Sequence, residues 1–169
     1  KLPFAQGKQL EFGGIIDRVD SCQLNGNEYI RIIDYKSTKK NLTPELINNG
    51  INMQMLLYIF AMTEKNDKIP AGVLYSPLSI DKINIEDTIE KSENKTLIDS
   101  NLKSRGFVID NKEILNAMEH NINGKFIPAR LSKSGEYDKN KTSCITSDGM
   151  EKLRKISYDK LSDMAEAVY

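Results

Sequence analysis

Long apolar runs are missing from this chain. No stretch approaches the roughly 20 apolar residues of a membrane-spanning helix, so no membrane partner is expected. Cysteine is scarce: Cys22 and Cys144 are the only two, and neither has a CxxC neighbour. That rules out a disulfide framework and gives no zinc or iron–sulfur pattern within the chain. A cytoplasmic location with free thiols is expected, although pairing of the two cysteines stays open. There is one histidine, His120, at the end of a short helical pattern with no ligand spacing around it; a solvated or helix-capping role is expected rather than metal binding. Net charge is absent as well. Lys and Arg total 24, Asp and Glu total 24, so bulk electrostatics neither favour nor exclude nucleic acid. The opening residues carry no signal-peptide pattern, and there are no internal repeats or low-complexity tracts.

The 169 residues, 39% hydrophobic and 28% charged, fit one folded domain with a sizeable core rather than a disordered chain. The first residue is Lys1 rather than Met, and Tyr169 falls in mid-pattern of a helix, so a fragment of a longer polypeptide is expected. Charge is uneven along the chain. Residues 81–99 hold six acids and three lysines, whereas residues 125–141 hold five bases and two acids. For the basic stretch, phosphate contact and a solvated loop both stand as readings.

Residues 9–23 read as a long strand bent at Gly13-Gly14. Asn25-Gly26 supplies a hairpin turn, and residues 28–36 read as the antiparallel return strand. On that strand Ile32, Asp34 and Lys36 share one face, Ile33 and Tyr35 the other. A helix is expected from Thr43, as its cap, through Pro44 and Glu45 to about Thr63, apolar enough to be buried on more than one side. Gln54 and Tyr58, four apart, project from one of its faces. Residues 70–79, "PAGVLYSPLS", read as a strand. The strand–helix–strand spacing predicts a crossover and a parallel pairing. Residues 81–104 read as a polar helix or excursion, and a short helix is expected from about Asn111. Asp148 and Glu151 suggest a capping box for a final helix with a stripe of Leu153, Ile156, Leu161, Met164 and Val168. The expected class is α/β, one domain with a core at 9–79, a variable excursion at 81–145 and a C-terminal helix at 148–169.

The chemistry concentrates at the hairpin's end. Asp17 lies on one strand, Asp34 and Lys36 on the next. A metal-dependent phosphodiesterase needs this combination: carboxylates for a hard divalent cation, and a lysine to orient or activate water. By spacing alone an Asp-x-Lys is more often a surface ion pair. Likewise Gln54 and Tyr58 taken alone read as structural, Arg18 and Asp20 as a surface pair, and Met53, Met55 and Met62 as core filler. Lys39 and Lys40, just after the strand, suit phosphate contact or a solvated loop equally. Asp17, the hairpin, Gln54 and Tyr58 in register reverse the balance toward function.

"GGIIDRVD" followed past the hairpin by "IIDYKS" resembles the core of the PD-(D/E)xK nuclease superfamily, and "NMQMLLY" resembles the Q-x-x-x-Y helix of its RecB-type branch. With "PAGVLYSPLS" and the trailing "ITSDGMEKLRKISYDKL", the chain looks most like the nuclease domain of the B subunits of AddAB and RexAB helicase–nucleases. The likeness covers nearly the whole chain, strongest over 13–79 and weaker over 81–145. It implies a restriction-endonuclease-like fold, a mixed central sheet flanked by helices. It also implies Asp17 and Asp34 as ligands of Mg²⁺ or Mn²⁺, with the Tyr35 backbone carbonyl completing the protein's share. Lys36 would hold the attacking water or the scissile phosphate, and Gln54 and Tyr58 would position lysine, water or DNA backbone.

The implied activity is exonucleolytic hydrolysis of single-stranded DNA in double-strand-break repair and recombination. The strand would be delivered by a helicase, with the A subunit as partner. Two departures are visible. The family's Glu or His from a helix before the first strand has no counterpart after Lys1. The cysteines of the iron–sulfur cluster expected in the full-length protein would fall outside residues 1–169, so no cluster is expected here. A non-catalytic nuclease fold serving as a DNA-binding or scaffolding module is the rival reading; a stand-alone exonuclease or phage nuclease is a third.

Overall fold

The computed structural model describes residues 2–3, 9–11, 13–38, 40–78, 101–140 and 142–167. The acid-rich stretch 81–99, Lys39 and Val168 lie outside these. A short antiparallel ribbon pairs β1 (Leu2–Pro3) with β2 (Gln9–Leu10). The main sheet begins with β3 (Arg18–Leu24) and β4 (Asn27–Lys36), joined by Asn25-Gly26 with φ of 51° and 78°. Two successive positive φ values match the twist of a tight hairpin, which is why this dipeptide turns so reliably. The hairpin register runs from Leu24 opposite Asn27 to Arg18 opposite Ile33.

Two helices follow, α1 (Pro44–Asn48) and α2 (Gln54–Asn66), and return the chain to β5 (Ile69–Pro77), which pairs parallel to β4 as the crossover spacing predicts. The sheet then continues past the expected core. β6 (Arg105–Ile109) pairs antiparallel to β5; after α3 (Lys112–Met118) and a 3-10 turn at His120–Ile122, β7 (Cys144–Ile145) pairs parallel to β6. The order is β3-β4-β5-β6-β7, a mixed sheet closed by α4 (Ser147–Glu166).

β4 is buried on both faces. Ile30 and Ile32 pack with Ile47, Leu56, Ile59, Phe60 and Leu153 from α1, α2 and α4. Ile33 points the other way, into Leu74, Val108, Leu115 and Ile127. Each such isoleucine contributes about 1.5–3 kcal/mol by leaving water, so the strand's register is strongly fixed. The same packing fixes where Asp34 and Lys36 emerge.

Three expectations are corrected. The strand over 9–23 is interrupted: residues 13–17 are irregular and β3 starts at Arg18. The two glycines contribute no side chain to a ladder, and Gly14 is committed to a close contact described below. The helix over 43–63 is two helices. Thr43 does cap α1, its Oγ1 accepting from Leu46 N at 3.4 Å. But Gly50, at φ 73°, ends α1: its N–H donates to Ile47 O at 2.9 Å while Ile51 N donates to Leu46 O at 2.8 Å. That pair of bonds is the left-handed glycine stop. Finally, α4 is capped by Thr146, whose Oγ1 accepts from Gly149 N at 3.1 Å. Asp148 lies inside the first turn, and Glu151 pairs with Arg154 instead.

Candidate active site

Ile32 carries its alternation onward to Asp34 and Lys36 at the carboxyl end of β4, on the face that α2 covers. Lys36 Nζ lies 2.5 Å from Asp34 Oδ2, with the side chains 36% and 17% exposed. Asp34 Oδ2 is nonetheless buried without a hydrogen-bond donor. Among the described residues the Lys36 ammonium is the group that meets this buried oxygen. Arg18 pairs with Ile33, and Asp17 immediately precedes that pairing. The Asp17 carboxylate is tied there, Oδ2 accepting from the backbone N–H of Tyr35 at 2.8 Å. The residue between Asp34 and Lys36 therefore anchors the second acid.

Gln54 opens α2 and Tyr58 stands one turn on, with Gln54 Nε2 donating to Tyr58 Oη at 2.7 Å. Tyr58 is buried beside Ile32, and its hydroxyl makes a long 3.5 Å bond to Gly13 O. A β-carbon on Gly14 would sit 1.5 Å from that hydroxyl. Tyr58 thus couples α2 to the segment that leads into Asp17.

Neighbouring residues frame the pair. Tyr75 sits beside Asp34 across the β4–β5 register. Burial, with the Asp34 charge adding to it, pushes the Tyr75 phenol up to about 12. Its hydroxyl donates to Asn52 O at 3.4 Å. On β3, Asp20 accepts from Arg18 at 2.7 Å and from Arg31 at 2.9 Å. Burial acts to raise the Asp20 pKa, but the two guanidiniums overcome it and hold the carboxyl below its usual range. The expected Arg18–Asp20 pair is therefore a triad with Arg31.

A family model described as the PD-(D/E)XK nuclease superfamily matches residues 2–148. The chain belongs to that superfamily. Curated relatives, each named as the B subunit of an ATP-dependent helicase/deoxyribonuclease, include that of Thermoanaerobacter sp. (strain X514), 35% identical over 173 residues, and that of Clostridium perfringens (strain SM101 / Type A), 30% identical over 176. The relative in Clostridioides difficile (strain 630) is 30% identical over 177 residues. Each match takes in 98% of this chain and 15% of the relative's own length. The mixed sheet with helices on both faces is the α/β architecture the PD-(D/E)XK resemblance implies.

Among the described residues no three His, Cys, Asp or Glu side chains converge as a metal group. The carboxylates at the hairpin's end are a pair. A hard dication still fits that set, because Mg²⁺ takes one or two carboxylates and keeps several waters. The observation favouring the fit is that Asp34 Oδ2 is buried, with the Lys36 ammonium against it as its charge partner. His120 is exposed in its 3-10 turn, away from this pair in the element order. Sequence reasoning missed the Gly14–Tyr58 contact, Tyr75 and Arg31. The double glycine ahead of "IIDRVD" was the available signal for the first. Tyr75 and Arg31 gave none, since only the strand register brings them to Asp34 and Asp20.

Proposed function

We propose that this chain is a divalent-metal-dependent deoxyribonuclease domain, acting as an exonuclease on single-stranded DNA. We further propose that it belongs to an ATP-dependent helicase–nuclease used in double-strand-break repair and recombination, with the helicase A subunit and DNA as partners and the cytoplasm as its place of action. The observation that carries the reading is the 2.8 Å bond from the Tyr35 N–H to Asp17 Oδ2, which ties one acid beside the buried Asp34 carboxylate and its Lys36 partner. The names of the relatives support the deoxyribonuclease assignment.

In this reading Asp17, Asp34 and the Tyr35 carbonyl hold Mg²⁺ or Mn²⁺. Such a cation would supply activation of water and neutralisation of phosphate charge. Lys36 orients the attacking water or the scissile phosphate. Gln54 and Tyr58 hold the lysine, the water or the DNA backbone in place, joined to each other by their 2.7 Å bond. Rigid strands suit this task because they fix relative positions better than loops do. An iron–sulfur cluster, if the full-length protein carries one, is held by residues outside this chain.

The rival reading is a non-catalytic scaffold, favoured by the lack of a third converging ligand among the described residues. Calorimetric titration with Mn²⁺ separates the two when run on the protein and on Asp34→Ala, alongside cleavage of labelled single-stranded DNA. Binding and cleavage that vanish together in the variant support the nuclease. A folded protein that binds no metal and cuts no DNA sinks it.

A further inference from the structure

The chain as a whole is balanced, 24 acids against 24 bases, but on the side of Lys36 away from Asp34 folding gathers further cations. A small hollow there is lined by Lys36, Lys40, Lys103 and Arg105 beside Tyr75. A second, larger cavity of about 370 Å³ shares Lys103 and Arg105 with it and extends to Thr142. No carboxylate lines either one among the described residues. The two adjoin at Lys103 and Arg105, at the end of the sheet where β4 and β5 finish and β6 begins, and together make a groove-like surface. The other flank of the site gathers fewer cations. There Arg18 and Arg31 are both matched by Asp20, and the exposed side chains include the apolar Ile15 and Val19.

The groove is also held in shape. Arg105 Nη1 donates to Asn41 Oδ1 at 3.0 Å, and the Asn41 carbonyl accepts from Asn52 Nδ2 at 3.0 Å. The segment that carries Lys40 is thereby fastened to the start of β6 and to the break between α1 and α2. Cations gathered along a groove hold a polyanion through its phosphates, and they do so without reading sequence.

We propose that this groove is the track for the nucleic-acid strand. Lys40, Lys103 and Arg105 grip successive backbone phosphates, so the strand runs from Lys36 across the ends of β4 and β5 toward β6 and β7, not over β3. The proposal rests on the nuclease reading and adds the path and the gripping residues to it.

The test is anisotropy binding of labelled oligothymidylate to the protein in chelator, where nothing is cut, over a range of salt. Steady-state cleavage with Mn²⁺ accompanies it. Lys40→Gln with Lys103→Gln is expected to weaken binding about tenfold and to flatten the slope of log K against log salt by roughly 1.4, the share of two single-strand phosphate contacts. KM should rise while kcat stays nearly unchanged. Arg105→Lys should keep the slope, and Lys152→Gln with Lys155→Gln, on α4, should keep both slope and KM. An unaltered slope in the groove variant, or an equal loss in the α4 variant, overturns the track while wild-type cleavage leaves the nuclease reading standing. A wild type that neither binds nor cuts overturns both.

Discussion

The Tyr58 hydroxyl fills the space where Gly14 would carry a side chain: an added β-carbon would lie 1.5 Å from the oxygen and 2.5 Å from the ring carbon that bears it. A helix residue and an otherwise irregular segment are thus fitted to each other ahead of Asp17. Gly14→Ala forces one of them to move. Because Tyr58 is buried and bonded to Gln54, the shift should reach both and lower DNA cleavage along with stability. A double-mutant cycle with Tyr58→Leu, followed by urea unfolding, should give a coupling of about 1–3 kcal/mol. Additive effects would mean the contact does not matter.

Asp34 poses a different problem for the fold. Its Oδ2 is buried against the Lys36 ammonium, and a second acid, Asp17, is tied to the neighbouring Tyr35 N–H. Asp34→Asn removes the charge and keeps the shape. Its melting temperature should not fall below that of the metal-free wild type, whereas Mn²⁺ binding and cleavage should drop by at least about a hundredfold. Differential scanning fluorimetry with and without Mn²⁺ reads both sides. A clear loss of metal-free stability would show that the carboxylate is structural.

Glu119 is buried and accepts from three backbone amides, Lys125 and Phe126 at 2.8 Å and Ile127 at 2.9 Å. It organises the loop that brings Ile127 into the core under Ile33. The Lys125 N–H also donates to Asn123 Oδ1 at 3.1 Å, so losing Glu119 leaves two donors unmatched, which costs on the order of 2 kcal/mol or more. Glu119→Ala should therefore destabilise by about that much in chemical denaturation, and Glu119→Gln, which keeps one acceptor oxygen, by less.

The Asp20 triad makes stability depend on acid. Its folded-state pKa lies below the unfolded value, about 3.9 for a free aspartate. The contribution is complete above that value and disappears as pH falls through the lower, folded one. Asp20→Asn should be less stable than wild type at neutral pH, and the gap should close below about pH 4. A gap independent of pH would assign the loss to packing.

Much of the hairpin was legible because its signals are local: Asn25-Gly26 fixes the turn, and the isoleucine alternation fixes which face Asp34 and Lys36 share. The glycine stop at Asn49-Gly50 was equally local and was overridden by the apolar pattern running through Ile51 and Met53. β6 and β7 were not legible. Their partners lie at residues 72–75 and 108–109, and strand formation there depends on those distant neighbours more than on intrinsic preference. The groove went unseen for the same reason, as Lys40 and Lys103 meet only once β6 is in place. Asp17, Asp34, Lys36, Gln54 and Tyr58 were grouped as a candidate site from the hairpin, the helix spacing and the family resemblance, whereas the Asp-x-Lys spacing alone favoured an ordinary ion pair.

The Asn25-Gly26 turn also implies an order of assembly for the candidate site. Asp17, Asp34 and Lys36 belong to one short hairpin whose contacts close over few residues. Tyr58, Tyr75 and Arg105 join only after the chain has looped through two helices and back. Early contacts of short range and late contacts of long range are the pattern that topology imposes on folding rates. Substitutions at the turn should slow folding, and those at Tyr58 should mainly speed unfolding. The acidic half of the site would then exist, for a moment, as a bare pair of carboxylates on a ribbon, before the rest of the protein arrives to make it selective.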